Sequence, residues 1–256
     1  MQNPKPRIHS LLKKMKFVEV IKFVNMRIRE LSSFTHGLQL KIEWNYTNPE
    51  YFDHNMDIQH QWRKTRMSFP LERGVFSSFA LAGNGKTLDL CSGDGFNSYY
   101  FYSLNSKSVT GIDFDAEAIK WARRNYKTNN LEFIEQDIRN EFVGGPYDNI
   151  IWDAAIEHFT EIEIESLMNN IKSQLTSEGV LSGYTIIETS DGVKHLHQHE
   201  YEFHDKEDLA RFLTPWFKNV HVFTTSYPTR TNLYFYASDG LLPFEKDNNL
   251  LIHSTD

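Results

Sequence analysis

Along the chain the apolar positions change rhythm. Leu11, Met15, Val18, Ile21, Val24, Ile28 and Leu31 recur at helical spacing. Leu12, Phe17, Val20 and Phe23 fall outside that stripe, so this helix is expected to be covered on more than one side, or broken in two. From about residue 76 to 238, short β-rich runs alternate with helical ones, the signature of a parallel sheet flanked by helices. Beyond Gly240 the chain turns polar and is expected to fray. The pattern predicts three regions: a helical cap or lid over 1–75, an α/β domain over 76–238 and a flexible tail over 239–256.

Within the α/β region Lys86 to Cys91 predicts a first strand that enters a glycine turn, with a helix from Asn97. Ser108 to Asp113, Leu131 to Glu135, Tyr147 to Asp153 and Val180 to Ile187 predict four more strands. Ile150, Ile151 and Trp152 break alternation, which marks a strand buried on both faces. Val220 to Thr225 and Leu233 to Ala237 predict a closing antiparallel pair, joined by a turn at Tyr227-Pro228-Thr229-Arg230. Asp115 and Asp205 are placed to cap helices, and Thr160 with Glu163 fits a capping box. Gly179 is expected to end the helix that the box begins.

Charge narrows the choice of partner. The formal net charge is -7, a poor match for a phosphate backbone. Yet Lys5, Arg7, Lys13, Lys14, Lys16, Lys22, Arg27 and Arg29 crowd the first thirty residues against Glu19 and Glu30. A basic helix of this kind can lie on an anionic membrane surface or dock on a partner, as well as pack as a cap. Cys91 is the single cysteine, so no internal disulfide can form. No apolar run reaches the roughly 18 residues that span a bilayer, and no signal peptide is evident. The cytoplasm is the expected location.

Candidate chemistry sits in Leu88-Asp89-Leu90-Cys91-Ser92-Gly93-Asp94-Gly95-Phe96. A strand enters a turn with two glycines, and a helix comes next. Glycine lets a ligand approach the backbone, and a helix start offers unpaired N–H groups and the positive dipole end. Such turns are common, so this one needs company. Asp113, Asp137 and Asp153 supply it, at or just after successive strand ends, where open α/β sheets bind ligands. Asp113 is placed for both ribose hydroxyls, and Asp137 for an adenine amino group. Each alone could be a solvated acid or a helix cap.

Over roughly residues 76–238 the chain resembles the class I S-adenosylmethionine-dependent methyltransferases. Asp89 to Gly95 is similar to that family's first motif, acid-x-Gly-x-Gly-x-Gly, with Cys91 at the first glycine. The resemblance implies a Rossmann-like, mostly parallel seven-stranded sheet with an antiparallel last strand, and S-adenosylmethionine as cofactor. It implies that the turn of Asp89, Cys91, Gly93 and Gly95 faces the methionine part, and that Asp113 holds the ribose. Asp137 would meet the adenine, with Phe114 and Ile138 on either side of the ring, and Asp153 would complete the pocket. Cys91 is tolerable if its φ is negative, and as a lone thiol at an apolar strand end it reads as inert. A nicotinamide-dependent oxidoreductase is the main rival, since Gly93-x-Gly95-x-x-Ser98 approximates the dinucleotide fingerprint. Ser98 in place of the third glycine, Asp94 in the turn and the closing strand pair count against it. A scaffold without catalysis is the remaining alternative.

Methyl transfer from a sulfonium is an in-line displacement, so the protein must align the acceptor and exclude water. A hydroxyl or protonated amine also needs a base. Glu157-His158 matches a pair often found after the fourth strand in related small-molecule methyltransferases. His158 would be the base, and Glu157 would orient it or contact the cofactor. Both could instead merely precede the next helix. Some relatives bind a divalent metal through a carboxylate one turn earlier; here that position is Ala154, with Asp153 one residue off, and no metal is expected. His195, His197 and His199 would share a face if extended, forming a metal site, a substrate wall with a base, or a polar loop. His199 is the best anchored of the three and is the one selected as catalytic.

Trp152-Asp153-Ala154-Ala155 lacks the Asn/Asp-Pro-Pro-aromatic element with which amino-directed nucleic-acid methyltransferases grip a flipped base. The expected acceptor is therefore a small-molecule or saccharide hydroxyl, ahead of a carboxylate or amine, and no nucleic acid. Upstream, Tyr51, Trp62 and Leu71-Glu72-Arg73-Gly74 are similar to stretches in glycan-modifying relatives. Arg73 could pair with the cofactor's carboxylate and Tyr51 could close over it, though an ordinary salt bridge would serve Arg73 as well.

Overall fold

The computed structural model describes residues 17–44, 62–63, 66, 68–81, 85–140, 144–187, 199–227 and 230–242. These divide into two compact units, one of residues up to 68 and one from 69 onward. The first unit holds α1 (Phe17–Trp44). Its apolar side chains do not gather into a single stripe, and Phe17, Phe23, Phe34 and Ile42 all stand exposed. Among the described residues no helix is long and apolar enough to cross a membrane.

The second unit contains β1 (Lys86–Leu90), β2 (Ser108–Asp113), β3 (Leu131–Glu135), β4 (Tyr147–Asp153), β5 (Leu175–Ile186), β6 (Asn219–Tyr227) and β7 (Arg230–Ser238). They form one seven-stranded sheet in the order β3-β2-β1-β4-β5-β7-β6. β1 to β5 pair in parallel, and β7 lies antiparallel to both β5 and β6. This is the mostly parallel, Rossmann-like sheet with a reversed last strand. β4 lies centrally, and Ile150, Ile151 and Trp152 are fully buried, as the unbroken apolar run requires.

The helices of this unit are α2 (Phe69–Phe79), α3 (Ser103–Asn105), α4 (Ala116–Asn125), α5 (Glu161–Gln174) and α6 (Lys206–Leu213). A π-helical turn, Ser98–Tyr102, leads into α3, and a 3-10 turn, Ile156–His158, comes after β4. Helices start where side-chain oxygens can take up unpaired N–H groups. Asp115 accepts from the N–H groups of Glu117 and Ala118 at 2.8 and 3.2 Å. Thr160 and Glu163 make both halves of the capping box, and Asp205 accepts from Asp208 N–H at 2.8 Å. Such caps stabilise a helix by about 1 kcal/mol each.

One boundary differs from the sequence expectation. α5 stops at Gln174 and the chain passes directly into β5, so Gly179 is a strand residue and not a helix end. Leu175 is already extended and pairs with Tyr147, and a register shift between Tyr147 and Asn149 takes up the extra residues. A Cβ at Gly179 would stand 2.9 Å from the Leu175 side chain, so crowding in this irregular stretch accounts for the glycine.

α2 is clamped at two points. At Gly74 a Cβ would lie 2.4 Å from the Phe101 ring, so glycine is what lets α2 close on the π-helical turn. Glu72 accepts hydrogen bonds from the hydroxyls of Thr225, Tyr227 and Tyr234, tying the same helix to β6 and β7. Glu72 to Gly74 thus belong to the sheet unit. At the far end, Asp239 pairs with Lys172 at 2.7 Å and Leu242 is buried.

Candidate active site

The turn after β1 is held by backbone bonds within itself and to β2. Ser92 N–H donates to Ile112 C=O at 2.9 Å, and Gly95 N–H donates to Ser92 C=O at 3.0 Å. Gly93 and Gly95 take φ of 55° and 79°, and a Cβ at Gly95 would sit 2.4 Å from the Phe133 ring. Cys91 has φ of 56°, so the expectation of a negative φ there fails. A left-handed non-glycine residue costs roughly 1–2 kcal/mol. Burial pushes the Cys91 thiol well above its usual pKa, aided by the neighbouring Asp113 and Asp89 charges, which favours the protonated thiol over the thiolate. Asp89 is buried behind the turn, where Ser98 Oγ donates to it, and burial pushes its carboxyl up to about 8.

Asp113 accepts Gly93 N–H at 2.8 Å with one oxygen and Asp115 N–H at 2.9 Å with the other. Burial raises its pKa, and those backbone N–H groups oppose the rise. The side chain at the end of β2 therefore fixes both the glycine turn and the start of α4. Asp137 accepts Arg139 N–H and pairs with the Arg139 guanidinium, both at 3.0 Å. Phe114 is 68% exposed, offering an apolar face at the end of β2, whereas Ile138 is buried in the main core.

Asp153, at the end of β4, accepts from Arg73 Nε at 2.9 Å and from Asn97 Nδ2 at 3.3 Å. Burial opposes the charge on Arg73, but Asp153, together with Tyr184 and Tyr102, holds the guanidinium above its ordinary pKa. The Arg73 guanidinium also lies over the Tyr184 ring, 5.2 Å from its centroid. Burial raises the pKa of Asp153, with Arg73 opposing. Around this group three buried polar atoms, Ser92 Oγ, Asn97 Oδ1 and Asp153 Oδ1, make no hydrogen bond among the described residues. An unsatisfied buried polar group costs about 1–3 kcal/mol. Asn97 Oδ1 and Asp153 Oδ1 are acceptors, so a ligand bearing an ammonium or hydroxyl group would satisfy them.

Beyond β4 the Ile156–His158 turn carries a second group. Glu157, buried, accepts from Thr185 Oγ1 at 3.0 Å. Its backbone carbonyl accepts from the N–H groups of Glu200 and Tyr201 at 2.9 and 3.1 Å. These bonds bring the 199–203 segment onto the turn. The His158 and His199 rings consequently meet edge to face with centroids 5.1 Å apart. His199 is buried and its Nδ1 bonds Glu202 Oε1 at 2.9 Å. One ligand atom from each of Glu157, His158 and His199 falls within 4.8 Å of the other two. Trp152 near the end of β4 pairs in parallel with Leu90 at the end of β1, so the turn that carries Glu157 and His158 leaves the same edge of the sheet as the glycine turn. Ala154, which lacks a carboxylate, argued from sequence against a metal here; the structure brings His199 to the pair instead.

Of the residues singled out from the sequence, His195, His197 and Tyr51 lie outside the described residues. The structure adds Ser92, Asn97, Thr185 and Glu202, which pattern alone missed. Ser92 and Asn97 flank the two glycines and Glu202 stands three residues after His199, so only Thr185, which acts from across the sheet, left no local signal.

A strand-turn-helix with acids at successive strand ends, on a sheet with a reversed last strand, is the arrangement that the resemblance in the sequence implied. Residues 87–179 match the methyltransferase domain family. The 235L protein of Invertebrate iridescent virus 6, named as a candidate methyltransferase, is 30% identical over 109 residues, 42% of this chain and 36% of its own length. The match thus spans about a third of that curated relative. The solved DhpI-SAH complex superposes with a TM-score of 0.53 at 20% identity, over 72% of this chain and 91% of that one. The PH0226 protein from Pyrococcus horikoshii OT3 gives 0.53 at 19% identity, over 77% and 98%. Residues 87–179 are thus the part of the chain that matches a methyltransferase domain, and the sheet has the fold of these solved structures.

Proposed function

We propose that the protein transfers the methyl group of S-adenosylmethionine to a hydroxyl of a small molecule or saccharide. The observation that carries this reading is the convergence of Glu157, His158 and His199 at the edge of the sheet from which the glycine turn also leaves. Such a trio gives an acceptor oxygen polar groups that orient it and draw off its proton, which a hydroxyl needs and a thiolate does not. The cofactor supplies an electrophilic methyl group on a sulfonium. The chain's own residues bind and orient it. Asn97 Oδ1 and Asp153 Oδ1 are unsatisfied acceptors for its ammonium, and Arg73 stands beside them for its carboxylate. Asp113 and Asp137 take the ribose and the adenine amino group, and Phe114 and Ile138 flank the ring. Gly93, Gly95 and Cys91 shape the turn, and Asp89 acts behind it through Ser98. Acidic charge and the absence of a base-gripping element after β4 favour a neutral acceptor over nucleic acid.

Calorimetric titration with S-adenosylmethionine, its demethylated product and NAD tests the cofactor. The first two should bind and NAD should not; binding of NAD alone would overturn the reading. Mass spectrometry of metabolites and glycans from cells with and without the protein tests the acceptor. A shift of about 14 Da on a hydroxyl-bearing compound is expected, and a shift confined to nucleic acid would remove the proposed substrate class.

A further inference from the structure

The trio of Glu157, His158 and His199 has a composition that acceptor binding alone does not require. We propose that it holds one divalent transition-metal ion, with Glu202 as the residue that positions His199. This rests on the proposed acceptor site and starts from the same convergence; with both imidazoles ligating it, the ion rather than a free imidazole would lower the pKa of a bound acceptor hydroxyl, whose proton passes to water. First, two imidazoles and a carboxylate come from segments far apart in sequence, and their ligand atoms lie within 4.8 Å of one another. Two histidines and one carboxylate are a three-ligand set that leaves coordination positions open for a small molecule.

Second, the ligands have the support that metal ligands need. Glu202 Oε1 engages His199 Nδ1 at 2.9 Å. A carboxylate on one ring nitrogen places the proton there and directs the lone pair of the other, Nε2, at the ion. Thr185 Oγ1 donates to Glu157 Oε2 at 3.0 Å, which fixes the carboxylate and leaves Oε1 as the ligating oxygen. The Glu157 carbonyl fixes the backbone of the His199 segment through the N–H groups of Glu200 and Tyr201. Third, the charges suit a cation. Glu157 is buried, and the Glu202 side chain is only 6% exposed. A divalent ion would compensate both carboxylates in a place where charge is costly. Imidazole nitrogens favour zinc, copper, iron or nickel over magnesium and calcium, which prefer all-oxygen shells.

The test uses the whole chain, stripped with a chelator and dialysed. Co2+ serves as the optical probe, Zn2+ as a competitor and Mg2+ as the hard-ion control. One equivalent of Co2+ should give visible absorption bands that saturate, that Zn2+ removes and that Mg2+ leaves intact. His158→Ala and His199→Ala should abolish the bands, with far-UV circular dichroism and S-adenosylmethionine binding retained as evidence of folding. Glu202→Gln should weaken binding about 10–100-fold without abolishing it. No saturable signal from the folded wild-type chain, or an undiminished one in both histidine variants, would overturn the metal site. Stoichiometric binding without methyl transfer to any hydroxyl would uphold the metal site while removing the acceptor reading, so the two failures are distinct.

Discussion

At the β1–β2 end of the sheet, position is set largely by backbone groups: glycine φ angles, N–H groups accepted by Asp113, and the bond from Ser92 N–H to the Ile112 carbonyl. Beyond β4, position is set by long-range meetings. Glu157 and His158 come from one turn, His199 from a segment after β5, and Thr185 from β5 itself. The first end joins two strands that follow one another in the chain, with Gly93 and Asp113 20 residues apart, whereas the second joins the turn after β4 to a segment beyond β5. On the proposed reading, cofactor recognition and acceptor recognition are separately built, and each should be perturbed without the other.

The most severe test of that separation is His158→Ala. Turnover should fall by about 10²- to 10⁴-fold, read as release of the demethylated cofactor, with calorimetric S-adenosylmethionine affinity unchanged. A parallel loss of affinity would show that the two ends are coupled. Next is Asp113→Ala, which removes the acceptor for two backbone N–H groups as well as the proposed ribose contact. Cofactor affinity should drop about 10- to 100-fold, equivalent to about 1.4–2.7 kcal/mol; normal binding would make the ribose assignment wrong.

Asp89 bears on fold stability and not on turnover or affinity. Its carboxyl rises from 3.8 to about 8 in the folded chain, so the folded state keeps a proton that the unfolded state has lost. Stability from this group is therefore present below about pH 4 and declines as pH rises toward 8, by up to about 1.4 kcal/mol per pH unit. Asp89→Asn should flatten that decline in denaturant titrations across the same window. An unchanged slope would mean another group sets the pH dependence. Smallest is Cys91→Gly, which relieves a left-handed cysteine and should stabilise the fold by about 1 kcal/mol, seen as a rise of a few degrees in Tm.

The same contrast explains what the sequence disclosed. β2, β3 and β4 lie where the apolar runs put them, and Asp115, Thr160 and Asp205 cap where their types demand, because these features depend on neighbours in sequence. The acids at the strand ends were legible for the same reason. Gly179 misled because its role is to relieve crowding in a register shift against β4, which no local pattern encodes. The sign of the Cys91 φ was also hidden, since side-chain size says nothing of the turn's handedness. Glu157 and His158 were visible as a pair. Their meeting with His199 depends on hydrogen bonds between two segments far apart in the chain, and so did not show.

The Glu157 carbonyl that receives Glu200 and Tyr201 has a consequence for change over time. Substitution alters side chains and leaves the main-chain oxygen in place, so the junction between the two segments does not depend on which residue occupies position 157. Descendants of this chain could exchange the acid or either imidazole, and so adopt a new acceptor, without the neighbouring segment drifting away. Innovation at this end of the molecule is mechanically cheap.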